Sequence, residues 1–488
     1  MPASALAGFF VSLWMENLAR PRCAAFHRPF FSWLLHAGLF LAAWGCALAL
    51  FSRPVFAILA VLAGQFLVVQ VNNAKYRALR EPFIFSDFGI FSQALKHPRL
   101  YFPFFGIGRA VLAGFAIIGA AGFGLWIESP LEFYFYWAGG LIIAGPALLF
   151  VGLLTAKRPI LNPEADIARC GLFVSIAQYW FREKTVAPPK EAKLQAPRTP
   201  RSQELPDIVV IQSESFFDAR QICREIRPEI FLNFDAACAA SCLHGRLEVP
   251  AWGANTMRPE FSFLTGLGPE ELDIHRFNPY RYAARRPLRA LPAVLREMGY
   301  STTCIHPHPA RFFRRDRAFP RLGFERFVDA EDFSGAKKAG PYISDEAVMD
   351  RLIQELDGRL GPSFIFVITM ENHGPLHLEK CEPAEESRFF QNQLPRGCED
   401  LAIYARHLQN ADRELGRIRM HLSGIGRNSL LCYYGEHVPS MPKVYDTLGM
   451  PDGRTNYFLD MPGSPIVGRI DIPVWDLPRE LLSRIGVQ

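Results

Sequence analysis

The sequence predicts an N-terminal α-helical transmembrane domain followed by a C-terminal α/β domain with a largely parallel central sheet. Three observations carry this. Up to about residue 155 the chain is dominated by Leu, Ala, Phe, Gly, Ile and Val, and the remainder reads as a soluble enzyme. A stretch rich in Pro, Lys and Arg, residues 187–206, follows the apolar part. Beyond it, short apolar runs alternate with helix-like stretches, the pattern of strand–helix–strand units on a parallel sheet. The mean hydropathy of +0.07 therefore averages two unlike parts.

A helix needs roughly 20 apolar residues to cross a bilayer. Segments 30–51, 54–71, 107–127 and 133–155 meet that length, with no Asp, Glu, Lys or Arg in their middles. Residues 5–19 are apolar but short, which fits an interfacial helix, a short fifth span or a truncated start. No small-residue cleavage site marks them as a signal peptide. Residues 72–105 mix Lys75, Arg77, Arg80, Lys96 and Arg99 with aromatic and aliphatic residues, as suits helices lying among lipid headgroups. These charges, with Arg20, Arg22 and Arg28, favour the cytoplasmic side. Apart from His36 the spans lack internal ionisable residues, which argues against a transporter.

The expected domains are residues 1–155 in the membrane, 156–206 as an amphipathic helix and proline-rich linker, and 207–488 as the catalytic domain. The amphipathic stretch starts at Cys170 (CGLFVSIAQYWF), and the linker is stiff and extended. Strands are expected at 208–211, 302–305, 364–369 and 430–434, with helices at 287–298, 345–356 and 400–421. Active sites of such sheets gather at the carboxyl ends of the strands. The residues that follow each strand therefore carry the functional reading.

After the first strand comes Glu214 in the run ESFFD, a carboxylate at a strand end. After the third comes His373 in ENHGP. After the fourth comes YGEHVP, where adjacent Glu436 and His437 reach one metal if the backbone turns at Gly435 and Pro439. A carboxylate with an imidazole suits Mn²⁺ or Zn²⁺. Thr256, in GANTMRPEF, reads as a helix N-cap or as a nucleophile that needs a base or metal to activate it, and the two are compatible because a helix N-terminus also stabilises phosphate. The second strand leads into HPHPARFFRRDRAF, whose arginines could fork onto a phosphate.

Taken in order, ESFFD, GANTMRPEF with LTG, HPHPARFFRRDRAFPRLGF, ENHGP and YGEHVP resemble the lipoteichoic acid synthase and phosphoglycerol transferase branch of the alkaline phosphatase/sulfatase superfamily. The resemblance covers about residues 207–440, and the multi-span region before it fits the same family. It implies a sulfatase-like catalytic domain with Thr256 as nucleophile on one divalent metal, Mn²⁺ first, with Zn²⁺ or Mg²⁺ as alternatives. Glu214, Glu436 and His437 would be the other ligands. His373 and Arg315 would hold the phosphoglycerol, and His306 matches a pocket histidine. His308 and Phe313 stand where the family often has Asp and Trp, and Glu436 stands where its motif usually reads Asp.

The implied reaction moves glycerophosphate from phosphatidylglycerol to a glycan or polymer acceptor. A phosphoethanolamine transferase, a lipid phosphodiesterase and a catalytically weak binding homologue are the alternatives. The implied place is the bacterial inner membrane, multi-pass, with the catalytic domain facing the periplasm or exterior. Five spans with the N-terminus inside, or four with it outside, would give that orientation; the basic loops argue the other way, although basic interfacial helices bind anionic headgroups on either face. Sulfatases proper need Cys or Ser in a C/S-x-P-x-R context, which the Thr256 site lacks.

Composition excludes other classes. Half the residues are apolar and 21% are charged, so general disorder and collagen-like or small disulfide-scaffold classes are out. A net charge of +5 without a concentrated basic patch gives no sign of a nucleic-acid partner. Eight of the ten cysteines follow the spans, which permits disulfides in an oxidising compartment, with Cys381–Cys398 as one candidate pair.

Overall fold

The computed structural model describes residues 2–23, 27–89, 114–115, 119, 122, 124–126, 128–194 and 205–486. The chain forms two compact units, Met1–Ala187 and Pro188–Gln488.

Among the described residues of the first unit, three helices are long and apolar enough to cross a membrane: Phe30–Phe51, Pro54–Leu79 and Tyr134–Thr155. Most of the expected span 107–127 lies outside the described residues. The second of these helices runs past Val71 to Leu79, so residues 72–79 are its last turns rather than a separate interfacial element. The polar groups there are used locally. Lys75 pairs with Glu81 and Asp87 at 2.7 Å each, and the Asn72 side chain accepts the Phe83 amide at 2.8 Å.

The N-terminal helix, Pro2–Met15, has 14 residues and is too short to span. Behind it Glu16 is buried and ion-paired with Arg28, and His36 Nδ1 lies 3.7 Å from the same carboxylate. Arg28 is therefore a compensated buried charge, not a solvated marker of topology. The expected amphipathic helix is present as Leu172–Thr185, and its Phe173 amide donates to Glu16 Oε1 at 3.0 Å.

The second unit is built on a nine-stranded sheet. Its strands are β1 Asp207–Ser213, β2 Leu243–Glu248, β3 Ser301–Ile305, β4 Arg326–Val328, β7 Ser363–Ile368, β8 Ser429–Gly435, β9 Thr455–Asp460, β10 Gly468–Arg469 and β11 Ile472–Pro473; β5 Lys338–Ala339 and β6 Tyr342–Ile343 form a separate hairpin. The order is β10-β2-β9-β8-β1-β7-β3-β4, with β11 also on β2. Strands β8, β1, β7, β3 and β4 are mutually parallel, and β9 pairs antiparallel with both neighbours.

Each face of the sheet has its own core. On β1, Ile208 and Val210 point into one and Val209 and Ile211 into the other, the two-residue period of a strand buried on both faces. Helices Met257–Thr265, Leu291–Glu297 and Arg315–Leu322 cover the first face; Leu232–Ala240, Asp345–Asp357 and Glu399–Gly424 cover the second. Leu194, from the proline-rich stretch, is buried in the first of these cores.

All ten cysteines are free thiols. The expected Cys381–Cys398 bridge is not formed. Cys398 is buried in the second core, while Cys381 is only packed against its border.

Candidate metal centre and active site

The register of the central strands assembles the site. Ser213 on β1 pairs with Gly435 on β8, so the next residues, Glu214 and Glu436, leave neighbouring strand ends side by side. His437 follows directly. Glu214, Glu436 and His437 each offer one ligand atom within 4.8 Å of the others, and all three are buried. Two backbone features allow the approach. Ser215 turns with φ +52°, and the Phe216 carbonyl then lies against Gly435, where a Cβ would have no room. The Glu214 amide donates to Thr369 Oγ1 at 3.0 Å, which ties this turn to the end of β7.

Thr256 stands at the N-terminus of the helix Met257–Thr265, after Asn255 at φ +70°. It is only 9% exposed, and its hydroxyl donates to Glu436 Oε1 at 3.2 Å. The Thr256 side chain makes no capping hydrogen bond to its helix. The residue begins a helix, and its hydroxyl is aimed at the carboxylate cluster.

The electrostatics suit a cation. Burial pushes the Glu214 carboxyl up to about 7, with repulsion from Glu436 adding to it. Burial likewise pushes Glu436 up to about 7. Among the described residues no Lys or Arg hydrogen-bonds either carboxylate. His437 donates Nδ1–H to the Val438 carbonyl at 3.0 Å, so Nε2, 3.0 Å from Glu436 Oε1, is the ring nitrogen left to hold a metal. Glu436 Oε2 accepts from Gln212 at 2.7 Å, and Gln212 accepts from the Tyr434 hydroxyl at 2.6 Å. The longer Glu436 side chain is thus gripped through both oxygens. Two hard carboxylates, one imidazole and a hydroxyl form a donor set that fits Mn²⁺, Zn²⁺ or Mg²⁺.

The expected substrate residues gather at the same edge of the sheet. His306 follows β3, is buried, and donates Nδ1–H to the Ile368 carbonyl at 3.1 Å. Burial, then the charge of Arg315, hold its pKa well below the ordinary imidazole value. His308 lies 5.7 Å from the His306 ring and 4.7 Å from Phe312, centroid to centroid. His373 donates Nδ1–H to the Gly374 carbonyl at 2.6 Å, and its ring meets the edge of Tyr342 at 5.2 Å. Phe313, at φ +54°, lies 5.4 Å from the Arg315 guanidinium.

Arg315 departs from the expectation of a free phosphate fork. It is 1% exposed and already forks onto Glu260, at 2.9 and 2.7 Å. The Tyr280 hydroxyl donates to the same carboxylate at 2.5 Å. Glu260 sits one turn after Thr256, so this pair ties the Thr256 helix to the Arg315 helix. The sequence places Glu260 in the helix's first turn but carries no sign of its partner. Glu260→Gln will lower unfolding stability by about 3–5 kcal/mol, because it leaves a buried guanidinium without its counter-charge. Chemical denaturation of the full chain measures this.

Gln212, Thr369, Tyr342 and Tyr434 join the site without having been expected there. Gln212 and Thr369 have a usable signal in the sequence, as polar residues at the ends of otherwise apolar runs.

The Sulfatase family profile matches residues 206–465. The chain is 27% identical over 451 residues to the capsular polysaccharide biosynthesis protein RkpI of Rhizobium meliloti, spanning 87% of this chain and 79% of that one. It is 24% identical over 154 residues to lipoteichoic acid synthase 1 of Bacillus subtilis, 30% of this chain and 23% of that one. The solved integral membrane protein lipooligosaccharide phosphoethanolamine transferase A of Neisseria meningitidis aligns over 99% of this chain and 93% of its own length, with a TM-score of 0.60 at 11% identity. That likeness shows the fold: apolar helices followed by a sulfatase-like α/β domain.

Proposed function

The chain belongs to the sulfatase family, and on that premise we propose that it is a membrane-bound phosphoglycerol transferase of the lipoteichoic acid synthase type. It takes glycerophosphate from phosphatidylglycerol and passes it to a glycan or polymer acceptor outside the cytoplasm. The observation that carries this reading is the Thr256 hydroxyl, bonded at 3.2 Å to Glu436 within a buried Glu–Glu–His cluster. A threonine here suits phosphoryl transfer, since formylglycine-dependent sulfate hydrolysis needs Cys or Ser.

Glu214, Glu436, His437 and Thr256 would hold one divalent cation, Mn²⁺ by family resemblance. Such a cation supplies charge for the attacking oxygen and the phosphoryl oxygens. The Thr256 oxygen attacks phosphorus as its proton leaves along the bond to Glu436 Oε1. The bond between phosphorus and the diacylglycerol oxygen breaks, and diacylglycerol departs with a proton. Phosphoglycerol stays on Thr256 until an acceptor hydroxyl attacks the same phosphorus and Thr256 regains its proton. His306 and His373 each commit Nδ1–H to a carbonyl, which leaves Nε2 for the substrate. It accepts from a glycerol hydroxyl when neutral and donates to a phosphoryl oxygen when protonated. Arg315 is taken up by Glu260, and none of the other residues assigned to this pocket, His306, His308, Phe313 and His373, is a carboxylate. That favours uncharged glycerol over an ethanolamine ammonium.

The test is diacylglycerol release from labelled phosphatidylglycerol by the full-length protein in detergent with Mn²⁺, beside phosphatidylethanolamine. Metal-dependent release from phosphatidylglycerol is the expected outcome. Release from phosphatidylethanolamine alone would overturn the headgroup, and no release with metal bound would overturn the donor class.

A further inference from the structure

The loop that carries His373 is held at both ends by a buried charge network that the reaction does not use. Glu371 is 2% exposed, and its Oε1 accepts from His407 Nδ1 at 2.9 Å and from Asn410 at 2.6 Å. Its Oε2 accepts the backbone amide of Asp345 at 2.7 Å. On its other side, His407 Nε2 lies 3.0 Å from Glu379 Oε1. His407 is 1% exposed and belongs to the helix Glu399–Gly424. A carboxylate at each ring nitrogen requires both to donate, so the imidazole is held as the cation.

The β5–β6 hairpin joins the same assembly. Gly340, at φ +59°, abuts the Glu379 carboxylate, leaving no space for a Cβ. Two residues on, Tyr342 touches the His373 ring and donates to the Gly374 carbonyl at 3.2 Å. Arg406, beside His407, reaches Glu379 at 3.6 Å.

We infer that His407 is a positioning residue: by bridging Glu371 and Glu379 it fastens both ends of the loop 371–379 to one helix and fixes His373 between them. The catalytic consequence rests on the reading of His373 as a donor-headgroup ligand; the clamp itself does not.

The test compares wild type, His407→Gln and the milder Glu379→Gln in the full-length protein. Backbone amide exchange in residues 371–379 is expected to rise about tenfold in His407→Gln and less in Glu379→Gln, with β1, β8 and the Thr256 helix unchanged. The KM for phosphatidylglycerol should rise more than kcat falls. His373→Ala should remove most of that effect, so that the double variant is no worse than the worse single one. Mn²⁺ affinity should stay at the wild-type level, because its ligands come from other strand ends. Unchanged exchange in 371–379, or an equal rise across the whole unit, would overturn the clamp. Additive effects of His373→Ala and His407→Gln would overturn the link to His373. Should wild type not turn over phosphatidylglycerol, the donor reading fails while exchange still decides the clamp.

Discussion

Thr256→Ala will lower diacylglycerol release by about 10⁴-fold or more, the scale seen when a covalent nucleophile is removed. The Thr256 oxygen is the only part of that side chain aimed at the carboxylate cluster, through its bond to Glu436. Alanine removes that oxygen and leaves Glu214, Glu436 and His437 in place. Divalent metal binding, measured by calorimetry, should therefore persist in the variant with reduced affinity. Thr256→Ser keeps the hydroxyl and should retain a measurable part of the activity. Trapping labelled phosphoglycerol on the wild-type protein in the absence of acceptor, and its absence from the alanine variant, would locate the intermediate. Release that survives in Thr256→Ala would mean direct attack by water or acceptor and would remove the two-step mechanism.

Glu436→Gln will abolish tight divalent binding and turnover together, yet will not unfold the protein. Glu436 is central to the cluster: its oxygens engage Thr256, His437 and Gln212. An amide of the same length keeps the volume and loses the charge that a hard cation requires. Without metal, that buried charge costs stability, as its shift from 4.5 to about 7 records. The sign follows directly. A carboxyl whose folded pKa is raised makes the metal-free protein lose stability as pH climbs from about 4.5 to about 7, because the folded state retains the proton longer. Thermal unfolding of metal-free wild type should show that decline, and Glu436→Gln should show less of it. Excess Mn²⁺ should raise the melting temperature of wild type and not of the variant. Equal metal stabilisation of both would move the cation away from Glu436.

Much of the site is legible in the amino-acid sequence. Runs such as IVVI, FIFVI and LLCYY are apolar on both faces, so they announce buried parallel strands. Chemistry-bearing residues that directly follow such runs fall at one edge of the sheet by topology alone. That is why Glu214, His306, His373, Glu436 and His437 converge there. Strands β2 and β9 are not legible in the same way. β2 reads LHGRLE, with His244, Arg246 and Glu248 on its more exposed face, and β9 is a six-residue run bracketed by Thr455 and Asp460. Strands of mixed polarity are harder to tell from loops and helix fragments than uniformly apolar central ones.

The central strands, their burial on both faces and the residues at their carboxyl ends are properties of the sequence by itself, because hydrophobic periodicity is a local code; the order of the strands in the sheet is set by their pairing. Partnership is not. That Arg315 faces Glu260 instead of open solvent, that His407 joins Glu371 to Glu379, that Arg28 is neutralised by Glu16, and that Cys381 and Cys398 stay apart are decided only when distant segments pack. A buried charge is tolerable only beside its complement, and a pattern along the chain does not say which complement the fold brings within about 3 Å.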